Sequence, residues 1–264
     1  MMKTLAIDIE TYSSVDIREA GVYAYCDAPD FEILLIGYKF DDEDDVTVMD
    51  IHGLGKTGAI SSIEMLCPDF WEALTDPEVI KTAFNANFER TALAKYFDVP
   101  MPPEQWRCTM VHASMLGLPR SLADVGAALG LSQDKQKDKI GKSLIDYFCK
   151  PCKPTKKNGG RTRNLPEHDE EKWNLFIEYN RQDVVAEQAI LDKIKIYPVP
   201  ESEQELWNFD QRMNDRGIRL DWDFAEDILQ YDIKNQAELA EEAKKLTGLK
   251  NPNSPAQLKK WLTE

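Results

Sequence analysis

The N-terminal half of the chain carries the hydrophobic pattern of a β-sheet. Residues 4–9 alternate around aliphatic side chains, residues 31–40 (FEILLIGYKF) are almost continuously apolar, and residues 46–51 (VTVMDI) alternate again. An acidic turn at residues 41–45 (DDEDD) separates the second strand from the third, and two short connections among the three strands favour an antiparallel meander. Residues 79–84 predict a fourth strand that leads into a helix.

Through the rest of the chain, apolar residues recur at helical spacing. Ser121, followed three residues later by Asp124, has the signature of a helix N-terminus, and acidic residues at the start of a long segment from Asp169 suit a helix N-terminus as well. These signals predict helices at residues 70–74, 87–97, 121–129, 143–148 and 169–196.

A proline-containing segment around residue 199 marks a boundary, beyond which the pattern is wholly helical. Amphipathic helices are predicted at residues 201–216 and 222–246, and a capping box at Ser254 starts a last helix. The fold class is therefore α/β, with a mixed sheet covered by helices and a small all-helical C-terminal segment. We expect the two domains at residues 1–197 and 198–264.

The composition narrows the range of functions. The 264 residues include 32 basic and 47 acidic side chains, which gives a net charge of −15 and argues against nonspecific coating of nucleic acid. The apolar fraction of 42% is sufficient for a core, and no apolar run approaches the ~18 residues that would span a membrane. The N-terminus lacks the pattern of a secretory signal and the cysteine count of five is odd, so we expect a cytoplasmic protein with reduced thiols.

Several acidic residues stand at positions that could carry chemistry. Asp8 and Glu10 lie two apart in an apolar strand, so both side chains point to the same face, where unpaired carboxylates are costly to bury. Glu89 follows the fourth strand, and Tyr179 and Asp183 lie four apart on one face of the long helix. Taken singly, each has an ordinary structural explanation, such as a helix-start acid or a solvated carboxylate.

Together, the four carboxylates Asp8, Glu10, Glu89 and Asp183 suggest a different interpretation. If they converge, they repel one another and must either take up protons or bind a hard cation. Ligands that are all oxygen suit Mg²⁺ or Mn²⁺, not zinc. Two such ions can activate water and stabilise the leaving oxygen in an in-line attack on phosphorus.

The chain resembles a known family through motifs that occur in a fixed order. These are D-I-E-T from Asp8, N-x-x-x-E from Asn85 and Y-x-x-x-D from Tyr179. They are similar to the three exonuclease motifs of the DEDD superfamily, and more closely to the proofreading region of family A DNA polymerases of phages and prophages. Other stretches between Lys3 and Ile196, such as LGLPRSLADVGAALGL and KPCKPTKKNGGRTRNLPEHDEEKW, carry the same resemblance.

The resemblance implies a ribonuclease H-like sheet, two divalent metal ions (Mg²⁺ or Mn²⁺) and 3′→5′ hydrolysis of DNA to nucleoside monophosphates. A single strand or a frayed primer 3′ end would be the substrate. The positions of Asp8, Glu10 and Asp183 match the metal ligands, and Tyr179 matches the residue that orients the attacking water. The histidine variant of the superfamily would have His where Glu178 stands, so the chain resembles the tyrosine variant.

The resemblance also implies a substrate site, and it contains one departure. Thr11 and Asn85 match positions that hold the terminal nucleotide, and Phe88 matches an aromatic that packs against it. The second motif usually ends in Asp, whereas here it ends in Glu89. One further methylene moves the carboxylate by about 1.5 Å, the length of one bond, at a position that is often the looser, water-mediated ligand.

A basic loop at residues 150–164 interrupts the acidic chain. Its candidate phosphate-binding side chains are Lys153, Lys156, Lys157, Arg161 and Arg163. A solvated loop is an equally good interpretation. Cys149 and Cys152 supply only half of a zinc site, which is weak evidence for that metal.

The C-terminal part, including LWNFDQRMNDRGIRLDWDFAED, resembles the opening of the polymerase region that follows the exonuclease. The resemblance therefore implies that the remainder of a polymerase is a partner. Two alternatives remain: a self-standing 3′→5′ exonuclease, and a catalytically inactive scaffold that only binds nucleic acid.

Overall fold

The structure, a computed structural model, describes residues 4–41, 43–131 and 135–263, with side chains for all of these except residues 135–139. Asp42, within the expected acidic turn, lies outside the described residues. Contacts divide the chain into two compact units, residues 1–213 and 214–264.

A mixed sheet forms the centre of the first unit. Its strands, among the described residues, are β1 (Thr4–Tyr12), β2 (Glu32–Phe40), β3 (Thr47–Asp50), β4 (Ile80–Ala83) and β5 (Trp106–Cys108). They lie in the order β3-β2-β1-β4-β5, with β1, β2 and β3 antiparallel and β4 and β5 parallel to β1. The expected mixed sheet and its antiparallel meander are therefore confirmed, and β1 has neighbours on both sides.

Helices account for most of the remaining described residues. The first unit contains α1 (Ile17–Cys26), α2 (Gly55–Leu66), α3 (Pro68–Thr75), α4 (Ala86–Phe97), α5 (Thr109–Met115), α6 (Leu122–Ala128), α7 (Lys135–Phe148), α8 (Glu170–Ile194) and most of α9 (Glu201–Arg216). The second unit contains α10 (Trp222–Thr247) and α11 (Pro255–Thr263). The N-cap expected at Ser121 is present, since its side chain accepts from the main-chain N–H of Asp124. Asp169, predicted as the first residue of the long helix, is instead its N-cap and accepts from the main-chain N–H of Lys172.

The two faces of β1 point into different surroundings. Leu5, Ile7 and Ile9 are buried in the main core with side chains of α2, α3 and α4. Ala6 packs instead against Val184 of α8. Because side chains alternate along a strand, the even-numbered residues of β1 lie on the face that α8 covers.

The strand-to-strand connections contain helices that the hydrophobic pattern did not predict. The connection from β1 to β2 is not a short turn, because α1 lies within it. That helix is interrupted at Gly21, which has φ +78°, so its apolar residues do not keep one helical period. In α2 the fully buried side chains are only Ala59 and Ile63, which leaves too narrow an apolar stripe to recognise.

The contacts assign α9 to the first unit, although the sequence places a boundary before it. Trp207 of α9 packs against the main core. The buried guanidinium of Arg90 donates to the main-chain oxygen of Met101 at 3.1 Å and to Gln211 Oε1 at 3.3 Å. The side chain of Gln204 donates to the main-chain oxygen of Trp106 at 3.2 Å. The division into functional domains at residue 197 stays a prediction.

The second unit consists of helices, as expected. The helix α10 begins after Asp221, whose side chain accepts from the N–H of Phe224 at 3.1 Å, and ends at Gly248, which has φ +67°. Large apolar side chains on α10 are exposed, among them Trp222 at 73% and Tyr231 at 72%. Within the described ranges, no helix is both long enough and apolar enough to cross a membrane.

The packing of α9 predicts the outcome of a truncation. A chain that ends at residue 197 leaves Arg90 without its Gln211 partner and uncovers the core beneath Trp207. Loss of one hydrogen bond to a charged group alone costs about 1.5–3 kcal/mol. We expect a chain that ends at residue 216 to unfold at a clearly higher temperature than one that ends at residue 197, measured by circular dichroism. Equal unfolding temperatures would show that α9 is not part of the first unit.

Candidate active site

Three carboxylates from two distant segments converge on the α8 face of the sheet. One oxygen each from Asp8, Glu10 and Asp183 lies within 4.8 Å of the other two. Asp8 and Glu10 come from β1, the middle of the sheet, and Asp183 comes from α8, next to the Val184 that packs against Ala6. The structure thus brings together three of the four carboxylates that the sequence singled out, and their role in a site stays a prediction.

The pairing of β1 with β2 is irregular beside this cluster. Glu10 pairs with Leu35 and Thr11 pairs with Ile33, so Leu34 is an extra residue in β2, as in a β-bulge. Bulges bend a strand and re-aim its side chains, and they are common beside active sites. The shift lies between a residue of the carboxylate cluster and a residue expected to hold the substrate.

The cluster is electrostatically unfavourable on its own. Burial raises the pKa of Asp8 well above its ordinary value, and the charges of Asp183, Glu10 and Glu89 raise it further. Burial and the charge of Asp183 likewise raise the pKa of Glu10. A hard divalent cation would relieve this repulsion, and the all-oxygen ligand set suits Mg²⁺ or Mn²⁺. The residues present therefore fit the metal that the resemblance implies.

Tyr179 lies one helical turn before Asp183, and its hydroxyl is hydrogen-bonded to the Asp183 carboxylate. Burial raises the pKa of Tyr179 above its ordinary value, and so do the charges of Asp183 and Glu10. The phenol therefore stays protonated and acts as a hydrogen-bond donor. Its ring is parallel to that of Phe176, with centroids 6.4 Å apart.

Glu89 is close to the cluster but outside the group of three. It lies in the first turn of α4 and is buried, and its Oε2 has no hydrogen-bond partner among the described residues. Burial raises its pKa, and the charge of Glu187 adds to this effect. Its charge contributes to the raised pKa of both Asp8 and Glu10, which places it within electrostatic reach. Whether it binds metal stays a prediction.

A cleft of about 560 Å³ adjoins the carboxylate cluster. Glu10, Thr11 and Phe88 line it together, along with Cys149 and Lys150. The structure thus brings two of the expected nucleotide-binding residues to the cleft that contains Glu10. The remaining one, Asn85, is exposed at the N-cap of α4, where its side chain makes no capping hydrogen bond.

Thr11 is fixed in place by its neighbours. Its hydroxyl is hydrogen-bonded to the hydroxyl of Tyr25 at 2.8 Å, and both residues are buried. The Tyr25 ring in turn lies 6.2 Å from the ring of Phe88, centroid to centroid. One wall of the cleft is therefore an ordered contact between β1, α1 and α4.

The basic loop has an organised structure. Asn158 donates to the main-chain oxygens of Lys153 and Arg161, and its own side-chain oxygen accepts from two main-chain N–H groups. Arg163 forms an ion pair with Glu32 and lies over the Tyr12 ring, 3.7 Å from the centroid.

The cations of this loop fall into two groups. Arg161 donates to Asn164 at 2.8 Å, so both arginines of the loop have partners within the protein. Lys153, Lys156 and Lys157 are exposed. The lysines are thus the side chains most accessible to a phosphate backbone, and the role predicted for all five cations remains untested.

The two cysteines at the start of this loop, Cys149 and Cys152, contact different groups. The thiol of Cys149 is 3.8 Å from Glu10 Oε2, and the thiol of Cys152 is 3.4 Å from the main-chain oxygen of Arg161. Among the described residues, neither belongs to a group of three converging ligands. The structure gives no support to zinc at this pair.

Sequence reasoning missed three residues that shape the site. Asn180 hydrogen-bonds Asp8, which lowers the pKa of that carboxyl and partly offsets the effect of burial. Glu187 lies one turn beyond Asp183 and is buried, and Gly141 of α7 faces the Tyr179 ring. Helical spacing from Asp183 could have indicated Asn180 and Glu187, whereas no local signal indicates Gly141.

The contact between Gly141 and Tyr179 predicts the effect of one methyl group. A Cβ at Gly141 would overlap Tyr179 Cε2, and the ring is held by Phe176 and by its hydrogen bond to Asp183. We expect Gly141→Ala to lower the free energy of unfolding in urea by about 1–3 kcal/mol, the usual cost of overpacking.

Gly58 in α2 is the matched control for this substitution. A Cβ there would make an ordinary 3.4 Å contact with Leu54 Cβ. Gly58→Ala should therefore stabilise the protein by up to about 1 kcal/mol through helix propensity. If both variants shift stability in the same direction, the proposed close contact at Tyr179 is wrong.

The buried carboxyl of Glu187 predicts a dependence of stability on pH. It accepts from Thr109 Oγ1 at 2.6 Å, and burial raises its pKa from 4.5 to about 7. Between these values the folded protein binds a proton that the unfolded chain has lost, so stability falls as the pH rises. In the metal-free protein, we expect Glu187→Gln to make the decrease in the free energy of unfolding with pH smaller by up to about 3 kcal/mol. This follows from 1.36 kcal/mol per pKa unit.

The measurement is urea unfolding of the metal-free parent and variant across this pH window. Asp8 and Glu10 also have raised pKa values, and their contribution is common to the parent and the variant. The part of the Glu89 shift that comes from the Glu187 charge is lost in the variant and belongs to the effect that is measured. Glu64→Gln on the exposed side of α2 is the control. Parallel pH profiles for the parent and Glu187→Gln would contradict the prediction.

Comparisons with known proteins agree with the fold. No family model matches the chain. The chain is 56% identical over 263 residues to a DNA polymerase of Bacillus phage SP02, a match that covers 100% of this chain and 39% of the polymerase. Two structures of Trypanosoma brucei RNase D each superpose on 79% of this chain with a TM-score of 0.50 at 19% identity. The match covers 56% of the chain in the GMP complex and 64% of the chain in the other structure. The chain is therefore similar along its whole length to a region of a phage DNA polymerase and carries the fold of RNase D.

Proposed function

We propose that this chain is the 3′→5′ exonuclease region of a phage-type DNA polymerase. It would hydrolyse the 3′-terminal phosphodiester of single-stranded DNA or of a frayed primer end and release nucleoside monophosphates. The observation that carries the proposal is the convergence of Asp8, Glu10 and Asp183, of which Glu10 is buried and the other two are half-buried, in one cluster beside a cleft. The chain spans 39% of the polymerase that it matches, so a contribution to proofreading in a larger enzyme is part of the proposal.

Asp8, Glu10 and Asp183 would hold Mg²⁺ or Mn²⁺, two ions in all, with Glu89 as a more distant fourth carboxylate. Such ions, when bound, lower the pKa of water and stabilise the oxygen that leaves phosphorus. The four carboxylates must be ionised to bind them. The raised pKa values of Asp8 and Glu10 therefore imply that metal binding releases protons and strengthens as the pH rises.

The other residues of the cleft would bind and orient the substrate. Tyr179, protonated and hydrogen-bonded to Asp183, presents its phenol at the cluster and is suited to orient the attacking water. Thr11 is held by Tyr25 and offers a fixed hydroxyl oxygen beside Glu10. The ring of Phe88 lines the same cleft and supplies an apolar surface for a terminal base or sugar.

Cations near the cleft could guide the strand to it. Lys150 lines the cleft and follows directly on Cys149, and the exposed lysines at positions 153, 156 and 157 continue from there along the loop. A row of lysines can track a phosphate backbone in a protein that is acidic overall. Asn85, exposed at the start of α4, remains a candidate contact to the terminal nucleotide.

The second unit supports the proposal that the remainder of a polymerase is the partner of this region. Its helix α10 exposes Trp222, Phe224 and Tyr231, each by more than half of its surface. Exposed apolar surface of this kind marks a contact with further polypeptide.

The cytoplasm is the compartment that we propose, because all five cysteines, which lie within the described ranges, are free thiols.

Removal of one cluster carboxylate should abolish cleavage. We expect Asp8→Ala and Asp183→Ala to lower the rate of degradation of a 5′-labelled single-stranded oligonucleotide in Mg²⁺ by more than about a hundredfold. Loss of outer partners of a metal ligand already costs 10- to 100-fold, so loss of a ligand itself costs more. EDTA should abolish the activity of the parent protein.

Asp192→Ala is the matched control, because Asp192 lies on the same helix as Asp183 with 71% of its side chain exposed. It should cleave at the rate of the parent. Glu89→Gln should lose less activity than Asp183→Ala, since Glu89 is outside the group of three. Undiminished cleavage by Asp183→Ala would refute the assignment of the cluster. A parent protein that binds Mn²⁺ but does not cleave would instead indicate a nucleic-acid-binding scaffold.

A further inference from the structure

Asn180 is a fully buried amide in the middle of α8, between Tyr179 and Asp183 along the chain. Its Nδ2 donates to Asp8 Oδ2 at 2.6 Å and to the main-chain oxygen of Asp8 at 3.2 Å. It thus holds both the side chain and the backbone of the same residue. Hydrogen bonds to an ionised acceptor are about twice as strong as bonds between neutral groups.

The approach of Asn180 to Asp8 depends on a glycine in the neighbouring strand. Gly37 of β2 pairs directly with Asp8 in the antiparallel register. A Cβ at Gly37 would lie 2.6 Å from Asn180 Oδ1 and 3.2 Å from Val184 Cγ2. Any larger residue at position 37 would push α8 or the amide away from β1.

Packing alone does not explain why the buried side chain at position 180 is an amide. Its Oδ1 is buried without a hydrogen-bond partner among the described residues, and burying an unpaired polar atom costs free energy. An aliphatic side chain would fill the same space without this cost. The two bonds from Nδ2 to Asp8 are the contacts that offset it.

We propose that Asn180 is a positioning residue that fixes the carboxylate of Asp8 for metal binding, and that Gly37 provides the space for it. The proposal rests on the proposed function, since it concerns the metal that Asp8 would hold. By engaging Oδ2, the amide sets the plane of the carboxylate and stops it from rotating. Hydrogen-bond partners of this type orient metal ligands, and their loss typically costs 10- to 100-fold in metal affinity or activity.

The test measures metal binding directly, without substrate. Mn²⁺ is titrated into the full chain and free Mn²⁺ is followed by electron paramagnetic resonance. Asn180→Leu keeps the shape of the side chain and removes the donor. We expect its Kd for Mn²⁺ to rise by about tenfold or more. Asn174→Leu, the same change at an exposed position of the same helix, should bind Mn²⁺ like the parent.

A second pair of variants separates positioning from general damage to the fold. Gly37→Ala keeps Asn180 but displaces it, and should also weaken Mn²⁺ binding. Asn180→Ala makes room for that methyl, so the double variant Gly37→Ala/Asn180→Ala should bind Mn²⁺ no more weakly than Asn180→Ala alone. A purely structural effect of Gly37→Ala would add to that of Asn180→Ala.

The outcomes distinguish this inference from the function on which it rests. If the parent binds Mn²⁺ and both Asn180→Leu and Asn180→Ala bind it equally well, the positioning role is wrong and the proposed function stands. If the parent binds no Mn²⁺, both fail. Should Asn180→Leu lack native circular dichroism, Asn180→Ala and the Gly37 variants decide by the same criteria.

Discussion

Mutual repulsion among closely spaced carboxylates is the constraint that the candidate site imposes on this fold. Asp8, Glu10 and Asp183 share one small volume, with Glu89 in electrostatic reach. Without a counter-charge, such a group is tolerated only with protons bound, and the surrounding protein must keep it together while its charges push it apart. The sheet supplies this rigidity, because β1 is its middle strand and α8 lies across it.

The molecule restrains the site through side chains that do not themselves belong to the cluster. Asn180 holds Asp8, Tyr25 holds Thr11, and Gly141 leaves room for the Tyr179 ring. Each restraint comes from a different element, so the geometry of the site is distributed over α1, α7 and α8. Residues of this kind are expected wherever a cluster must be preorganised against its own electrostatics.

Local periodicity explains which parts of this structure could be predicted from sequence. The period of two placed Asp8 and Glu10 on one face, and the helical period placed Tyr179 beside Asp183. The strand β5 has only three residues and no pattern to detect, and α1 is interrupted at Gly21. Contacts that depend on register between distant segments, such as Gly37 under Asn180, have no local signature.

The thiol of Cys149 has a consequence for the total charge beside the cleft. It lies next to Glu10, and burial together with the nearby carboxylate raises its pKa well above the ordinary value for cysteine. The sulfur therefore stays protonated in the metal-free protein, adds no further negative charge to the carboxylate cluster, and is oriented to donate to Glu10 Oε2.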